Sequence, residues 1–233
     1  MTDRVTGAPP TAVLVTVHNQ ADRLPGTLAG LRRAFPEARI VVADDASTDG
    51  AGALATAAGA EVVRAPRRLG KGGAATLAAA RLRGNGGVVV LCDADLGASA
   101  AVLAALEQRV RGGCDLAVAR FARPRGGGFG LALGLARWAV RRLCGVALEA
   151  PLSGQRALRG EVLEAVLPFA PGFGMEVGMT VDAVRAGFGL CEVELELEHR
   201  VTTRTPAGFV HRGRQLIDVA RAYRDRRGVG CRA

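Results

Sequence analysis

The chain has 233 residues, of which 49% are hydrophobic and 23% charged, with a formal net charge of +9. This length accommodates one large domain that buries enough surface to fold without staples. No apolar run reaches the roughly 18 residues that span a bilayer, and residues 1–10 lack a signal-peptide pattern. We therefore expect a cytoplasmic protein with a flexible leader at 1–10 and one domain over 11–233.

The positive charge, carried mainly by arginine, fits a nucleic acid, an anionic membrane face or a phosphorylated substrate. Aromatic residues make up only 4% of the chain, which argues against base stacking and hence against nucleic acid. The five cysteines are widely spaced and form no Cys-x-x-Cys pair, so we do not expect a zinc or redox site. Most of them are expected to be small core residues in a reducing compartment.

The first half of the chain alternates short apolar runs with helical patterns. Strands are predicted at 11–17, 39–43, 61–64 and 87–92, with helices from residue 22, after residue 50 and at 74–83. Continuously apolar strands that alternate with helices predict an α/β fold with a mostly parallel sheet covered on both faces.

The second half is less regular. The pattern predicts helices at 98–111, 129–146, 160–167, 175–186 and 209–227, strands at 115–120 and 191–197, and a Pro/Gly-rich loop at 123–128. The stretch 129–146 mixes leucine, Trp138 and three arginines. It fits a core helix, a partner contact such as a homodimer, or an amphipathic helix on a membrane surface.

Three polar clusters follow predicted strands, at 18–20, 44–49 and 93–95. In sheets of this kind ligands bind beyond the carboxyl ends of the strands. We therefore expect the three clusters to meet in one crevice.

Asp93 and Asp95 are two residues apart on what is predicted to be extended chain, so their carboxylates would point to the same side. A divalent cation would relieve their repulsion, and Mg²⁺ or Mn²⁺ commonly bridges one or two carboxylates to substrate phosphates. Such a metal offsets charge on a leaving diphosphate. Asp95 is favoured for direct ligation, with Asp93 nearer the ribose or bridging through water.

Lys71 stands in the sequence Gly70-Lys71-Gly72-Gly73. Glycines allow the backbone to approach a phosphate, and the ammonium adds a point charge. The segment does not match the phosphate-binding loop of nucleotide triphosphatases, which excludes that class.

The ordered series of strand-end motifs, from His18-Asn19-Gln20 through the segment at 44–50 and Gly70-Lys71-Gly72 to Asp93-Ala94-Asp95, resembles the GT-A glycosyltransferases of family two. Dolichol-phosphate mannosyltransferases and glucosyl-3-phosphoglycerate synthases are the nearest likenesses. The resemblance implies metal-dependent transfer of a hexose from a donor of the UDP-glucose or GDP-mannose type. The implied acceptor is phosphorylated, either a polyprenyl phosphate or a small phospho-acid, and a lipid acceptor would suit a peripheral position at the inner membrane face.

The resemblance also implies a nucleotide-binding half over 11–97, an acceptor-binding half over 98–233, and roles for donor-side residues. Thr16 and Val17 would line the base, and Asp44 or Asp45 would contact base or ribose. Gln20 stands where the family usually has glutamate, so it can hydrogen-bond the ribose but brings no charge. The remaining nucleotide-sugar contacts would come from Asn19, Lys71, Asp93 and Ala94.

On the acceptor side, Ser153, Gly154 and Arg156 match a Ser-Gly segment, and Arg156 would suit a bidentate phosphate contact. Glu176 would bind sugar hydroxyls or act as general base. The resemblance places a third metal ligand at His211, beside the acceptor contacts Arg212 and Arg214, with His199 as the competing ligand.

Two other functions fit the sequence less well. A sugar-nucleotide pyrophosphorylase shares the α/β plan, but its first loop is rich in glycine, whereas 18–20 contains none. A non-catalytic module that binds anionic ligands is supported only by the net charge.

Overall fold

The computed structural model describes residues 11–122, 130–197 and 206–228, with the side chains of the last range described from residue 213. The predicted leader at 1–10 and the Pro/Gly-rich loop at 123–128 lie outside these ranges. Within them, no helix combines the length and apolar character that crossing a bilayer requires.

Seven strands form one sheet in the order β3-β2-β1-β4-β6-β5-β7. They are β1 (Thr11–Val17), β2 (Arg39–Asp44), β3 (Glu61–Arg64), β4 (Val88–Asp93), β5 (Leu116–Phe121), β6 (Arg156–Arg159) and β7 (Leu190–Leu195). All described pairings are parallel except those that β6 makes with β4 and β5. The predicted mostly parallel α/β sheet is confirmed.

In the described ranges, eight α-helices connect the strands or pack beside them. They are α1 (Leu24–Ala34), α2 (Ala51–Ala57), α3 (Lys71–Ala79), α4 (Ala104–Arg111), α5 (Leu131–Cys144), α6 (Gly160–Val166), α7 (Met175–Arg185) and α8 (Pro206–Arg226). Short 3₁₀ segments at Ala80–Leu82, Gly97–Leu103 and Gly172–Gly174 extend or introduce them. Helix α3 begins at Lys71, three residues before the predicted start, which places the lysine in the first turn.

The core has one cluster on each face of the sheet and a third outside it. Residues such as Val13 and Val15 alternate in direction with Ala12 and Leu14 along β1, so each strand feeds both face clusters. The third cluster joins α5, α7 and α8 through side chains that include Ala139, Val177 and Val219. The apolar strands are therefore buried on both sides, as parallel strands usually are.

Strand β6 was not predicted, because Arg156–Arg159 is short and begins and ends in arginine. Its strand conformation comes from pairing on both sides, with β4 and β5. This antiparallel insertion brings the turn before it, residues 151–155, to the carboxyl end of β4.

The cysteines only partly follow the prediction. Cys92 is buried in the core, as expected, but Cys114 and Cys191 form a disulfide that fastens β7 to the chain entering β5. The expectation that most cysteines are unpaired core residues is therefore wrong for this pair. Strands β5 and β7 are neighbours in space though distant in sequence, which spacing alone does not reveal.

Candidate functional site

Lys71 is the centre of a charged cluster at the carboxyl ends of β1 and β4. Its Nζ lies 2.6 Å from Oδ1 of Asp93 and 2.7 Å from Oε1 of Glu176. Burial opposes the charged form of Lys71, but the carboxylates of Asp93 and Glu176 outweigh it and raise the lysine pKa above its usual value. The cluster thus holds one cation between two anions and carries a net charge of −1.

Asp93 is held on both carboxylate oxygens. The hydroxyl of Thr16 donates to Oδ1 at 3.0 Å, and the amide of Gln155 donates to Oδ2 at 3.1 Å. Burial favours the neutral acid, but Lys71 and these two hydrogen bonds prevail and keep the pKa of Asp93 below its ordinary value. Asp93 is therefore an oriented, ionised carboxylate at neutral pH.

Gly154 allows the turn before β6 to close against this pair. A Cβ atom at Gly154 would lie 2.3 Å from Nζ of Lys71 and 2.6 Å from Oδ2 of Asp93. Real Cβ atoms do not approach other atoms this closely, so the site requires glycine here. The sequence prediction assigned Gly154 to the acceptor side, and the structure places it at the centre of the cluster.

Asp95 does not continue the strand. Strand β4 ends at Asp93, and Ala94 and Asp95 form a turn, so the extended geometry predicted for Asp93-Ala94-Asp95 is wrong. Ala94 is buried, donates its N–H to the carbonyl of Thr16 and accepts a hydrogen bond from Thr27 through its own carbonyl. These contacts fix the turn that carries the half-buried Asp95.

The acidic pair after β2, Asp44 and Asp45, accepts hydrogen bonds from the backbone, whereas Asp93 is held by side chains. Asp45 accepts the backbone N–H groups of Leu69 and Gly70 at 2.6 and 2.9 Å, and Asp44 accepts that of Ser47 at 2.8 Å. Both side chains are buried, Asp44 completely. Three of their four carboxylate oxygens thus hold loops in place. The predicted contact of Asp44 or Asp45 with base or ribose stays a prediction.

The loop at 18–20 is tied to the same region. Asn19 has a positive φ of 52°, which asparagine tolerates better than most residues, and its Oδ1 accepts the N–H of Thr48 at 2.8 Å. The carbonyl of Gln20 accepts N–H groups at the start of α1. The nucleoside contacts predicted for Asn19 and Gln20 stay predictions.

Arg156 is fully buried and not available to an acceptor. Its guanidinium donates to the carbonyls of Pro151 and Ser153 and to the hydroxyl of Thr180, at 2.9–3.0 Å. Burial lowers its pKa to about 10, so it is still charged at neutral pH. This corrects the predicted phosphate contact: Arg156 shapes the turn that presents Gly154 and Gln155.

The remaining predicted site residues lie in different surroundings. The side chain of Val17 packs in the core, so it does not line a base, and Ser153 is buried beside Arg156. Arg214 is exposed on α8. His199 and the side chains of His211 and Arg212 lie outside the described residues. In the described part, no group of three or more His, Cys, Asp or Glu side chains is placed to hold a metal.

Gln155 is the functional candidate that sequence reasoning missed. It is 2% exposed and its amide reaches Asp93. The available signal was its position directly after Ser153-Gly154, but a neutral glutamine in a turn does not by itself indicate a site.

The comparison with family models decides the classification. Residues 12–149 match the model described as glycosyl transferase family 2. The chain belongs to glycosyl transferase family 2. It is a glycosyltransferase with the GT-A fold that the resemblance implied, whereas no curated protein sequence matches it.

Solved structures extend the likeness beyond the family match. A glucosyl-3-phosphoglycerate synthase from Mycobacterium tuberculosis, in complex with Mn²⁺ and UDP-glucose, is 25% identical with a TM-score of 0.74 and covers 95% of this chain and 80% of its own. The same enzyme with Mn²⁺, UDP-glucose and phosphoglyceric acid is 26% identical with a TM-score of 0.73, at 92% and 80% coverage. A mycobacterial protein at 28% identity also has a TM-score of 0.73, at 92% and 74% coverage. This glycosyltransferase thus shares nearly its whole fold with these structures.

Proposed function

We propose that this glycosyltransferase moves glucose from UDP-glucose to a small phosphorylated acid of the phosphoglycerate type. The observation that carries the proposal is the anchored cluster of Lys71, Asp93 and Glu176 at the carboxyl edge of a family-2 fold. Support for donor and acceptor comes from structures of similar fold that hold UDP-glucose and phosphoglyceric acid. GDP-mannose and polyprenyl phosphate are the competing donor and acceptor.

The metal requirement is part of the same proposal, since the similar structures contain Mn²⁺. Both oxygens of Asp93 already accept hydrogen bonds. Asp95, half-buried in the turn that follows, is the ligand that we propose. One carboxylate plus substrate phosphates is a normal donor set for Mg²⁺ or Mn²⁺, and the described oxygens fit such an ion. When bound, the metal would offset charge on the leaving diphosphate; His211 or His199 as a further ligand remains a prediction.

Lys71 and Glu176 would act as one unit. The ammonium keeps Asp93 ionised and forms ion pairs with both carboxylates, and it adds positive charge near the place where phosphates are expected. A proton taken up by Glu176 would break its 2.7 Å ion pair with Lys71. Of the two roles predicted for Glu176, the geometry therefore favours binding a sugar hydroxyl over general-base catalysis.

The cytoplasmic location stays a prediction. The Cys114–Cys191 disulfide is of a kind that persists mainly in oxidising compartments. Redox state should therefore be controlled in any assay of activity.

The test is a matrix of donors against acceptors. UDP-glucose and GDP-mannose are each incubated with Mn²⁺ and with 3-phosphoglycerate, glycerol 3-phosphate or a short polyprenyl phosphate, and nucleoside diphosphate release and product mass are measured. We expect turnover only with UDP-glucose, a small phospho-acid and metal, and loss of turnover with a chelator. Turnover confined to polyprenyl phosphate would show that the acceptor is a lipid phosphate and not a small phospho-acid. Pyrophosphate release from a nucleoside triphosphate and a sugar phosphate would overturn the whole proposal.

A further inference from the structure

Helices α5 and α8 carry the three most exposed large apolar side chains described. Leu131 is 66% exposed, Ile217 52% and Trp138 51%. The two helices pack together through the third core cluster. The ring centroids of Trp138 on α5 and Tyr223 on α8 lie 4.7 Å apart. The outward surfaces of the two helices are therefore neighbours on a rigid support.

Exposed arginines lie beside two of these apolar side chains, Trp138 and Ile217. On α5, Arg141 and Arg142 are exposed beside Trp138, and the helix contains no acidic residue. On α8, Arg221 lies one turn after Ile217 and is also exposed. We call the surface formed by Leu131, Trp138, Arg141, Arg142, Ile217 and Arg221 the α5–α8 face.

We propose that the α5–α8 face docks this enzyme on an anionic lipid bilayer. Apolar side chains flanked by arginine, with a tryptophan among them, are the composition of helices that lie in the membrane interface. Arginines near a bilayer surface gain from the negative potential of anionic lipids. A second copy of the chain is a poorer partner, because apposed copies of the face would bring arginines together.

The α5–α8 face lies next to the catalytic cluster. Asp218, the residue after Ile217, accepts the backbone N–H of Phe173 at 3.1 Å. The adjacent Gly172 packs against Gly70, the residue before Lys71: a Cβ at Gly70 would lie 3.3 Å from the Cα of Gly172. A membrane bound at this face would therefore sit one loop away from the lysine.

The experiment measures sedimentation of the full chain with phosphatidylcholine vesicles, with and without phosphatidylglycerol. We expect binding at least about tenfold tighter to the anionic vesicles, weakening as salt is added. The variant with Leu131→Glu and Ile217→Glu should lose at least about tenfold of this affinity, since it removes apolar contacts and adds charge. The matched control, Leu54→Glu with Leu77→Glu, alters two exposed leucines elsewhere by the same charge and should bind like the wild type.

Three results would overturn the proposal. The first is no sedimentation with anionic vesicles at low salt. The second is equal loss in the test and control variants, which would show that only net charge matters. The third is a wild-type dimer in solution that the test variant alone dissociates, which would make the face a contact between copies. Thermal melting of both variants checks that each is folded.

Discussion

Two acidic pairs follow neighbouring parts of the same sheet, and they serve different purposes. In the pair after β2, three of the four carboxylate oxygens of Asp44 and Asp45 accept backbone N–H groups of nearby loops. In the pair after β4, Asp93 is held by the side chains of Lys71, Thr16 and Gln155. Acidic residues at a strand end thus do not by themselves identify a ligand site. The hydrogen-bond partners of each carboxylate oxygen are needed to distinguish a structural role from a ligand-binding role.

The largest effect should come from Asp95→Ala. If Asp95 holds the metal, kcat should fall by about 10²–10³-fold, since metal stabilisation of the leaving group amounts to several kcal/mol. The melting temperature should change little, because Asp95 is in a turn fixed by the backbone of Ala94. Steady-state kinetics across Mn²⁺ concentrations measure this, with Asp22→Ala on the surface as control. Full activity in Asp95→Ala would show that Asp95 does not hold a metal, and the proposed functional difference between the pair after β4 and the pair after β2 would then be lost.

Lys71→Met should reduce both stability and activity. It leaves Asp93 and Glu176 facing each other without a cation. Breaking a fully buried pair costs about 3–5 kcal/mol, and the cost here should be smaller because the side chains of Lys71 and Asp93 are 17% and 30% exposed. The lowered Asp93 pKa gives stability that is present above about pH 4 and is lost as pH falls through the folded pKa. The raised Lys71 pKa gives stability that is present below about pH 10 and is lost above it.

Urea unfolding of wild type and Lys71→Met across pH therefore measures the ion pair directly. The difference between the two proteins should be constant near neutral pH and should shrink towards both extremes. A difference that is independent of pH would show that Lys71 contributes through packing alone.

Asp45→Ala should act mainly on stability. It leaves the N–H groups of Leu69 and Gly70 without their acceptor, at a cost of about 1–3 kcal/mol. Activity should fall less than in Asp95→Ala, because Asp45 acts only through the loop that precedes Lys71. Asp45→Asn should recover part of the stability, since its amide oxygen can still accept one bond. If Asp45→Ala abolished nucleotide binding in a fully stable protein, Asp45 would belong with the ligand-binding residues after all.

Gln155→Leu should have the smallest effect. It removes one hydrogen bond to Asp93 while keeping a similar side-chain volume, which corresponds to about 1 kcal/mol and up to about tenfold in kcat/KM. Gln108→Leu, at an exposed position on α4, is the matched control. Identical kinetics for both variants would show that Lys71 and Thr16 orient Asp93 without Gln155.

The sequence predicted the parts of this molecule that depend on local pattern. Strands β1 and β3 have the predicted bounds, because continuous apolar runs between turn residues are a local signal. Lys71 and Asp93 were selected as site residues, but their ion pair with each other could not be predicted from either segment. It depends on how closely α3 and β4 approach in the folded sheet.

Two of the candidate residues have partners far along the chain that their local sequence does not indicate. Arg156 is buried because Thr180 on α7 completes its set of acceptors, and Asp45 is occupied by a loop more than twenty residues away. Strand β6 exists because two other strands pair with it. These are tertiary effects that override local preference, and a single sequence does not contain a signal for them.

Strand β7 lies at the end of the described sheet opposite β3, and its composition bears on solubility. Glu192 and Glu194 alternate with apolar residues along β7. Glu194 forms an ion pair with Arg120 on the neighbouring strand β5. Charged side chains on a terminal strand discourage another chain from adding to the sheet, and the Cys114–Cys191 bond holds this strand to the body of the domain. The same strand that supports the turn at Glu149 and Ala150, through Glu192, thus also protects the open side of the sheet from aggregation.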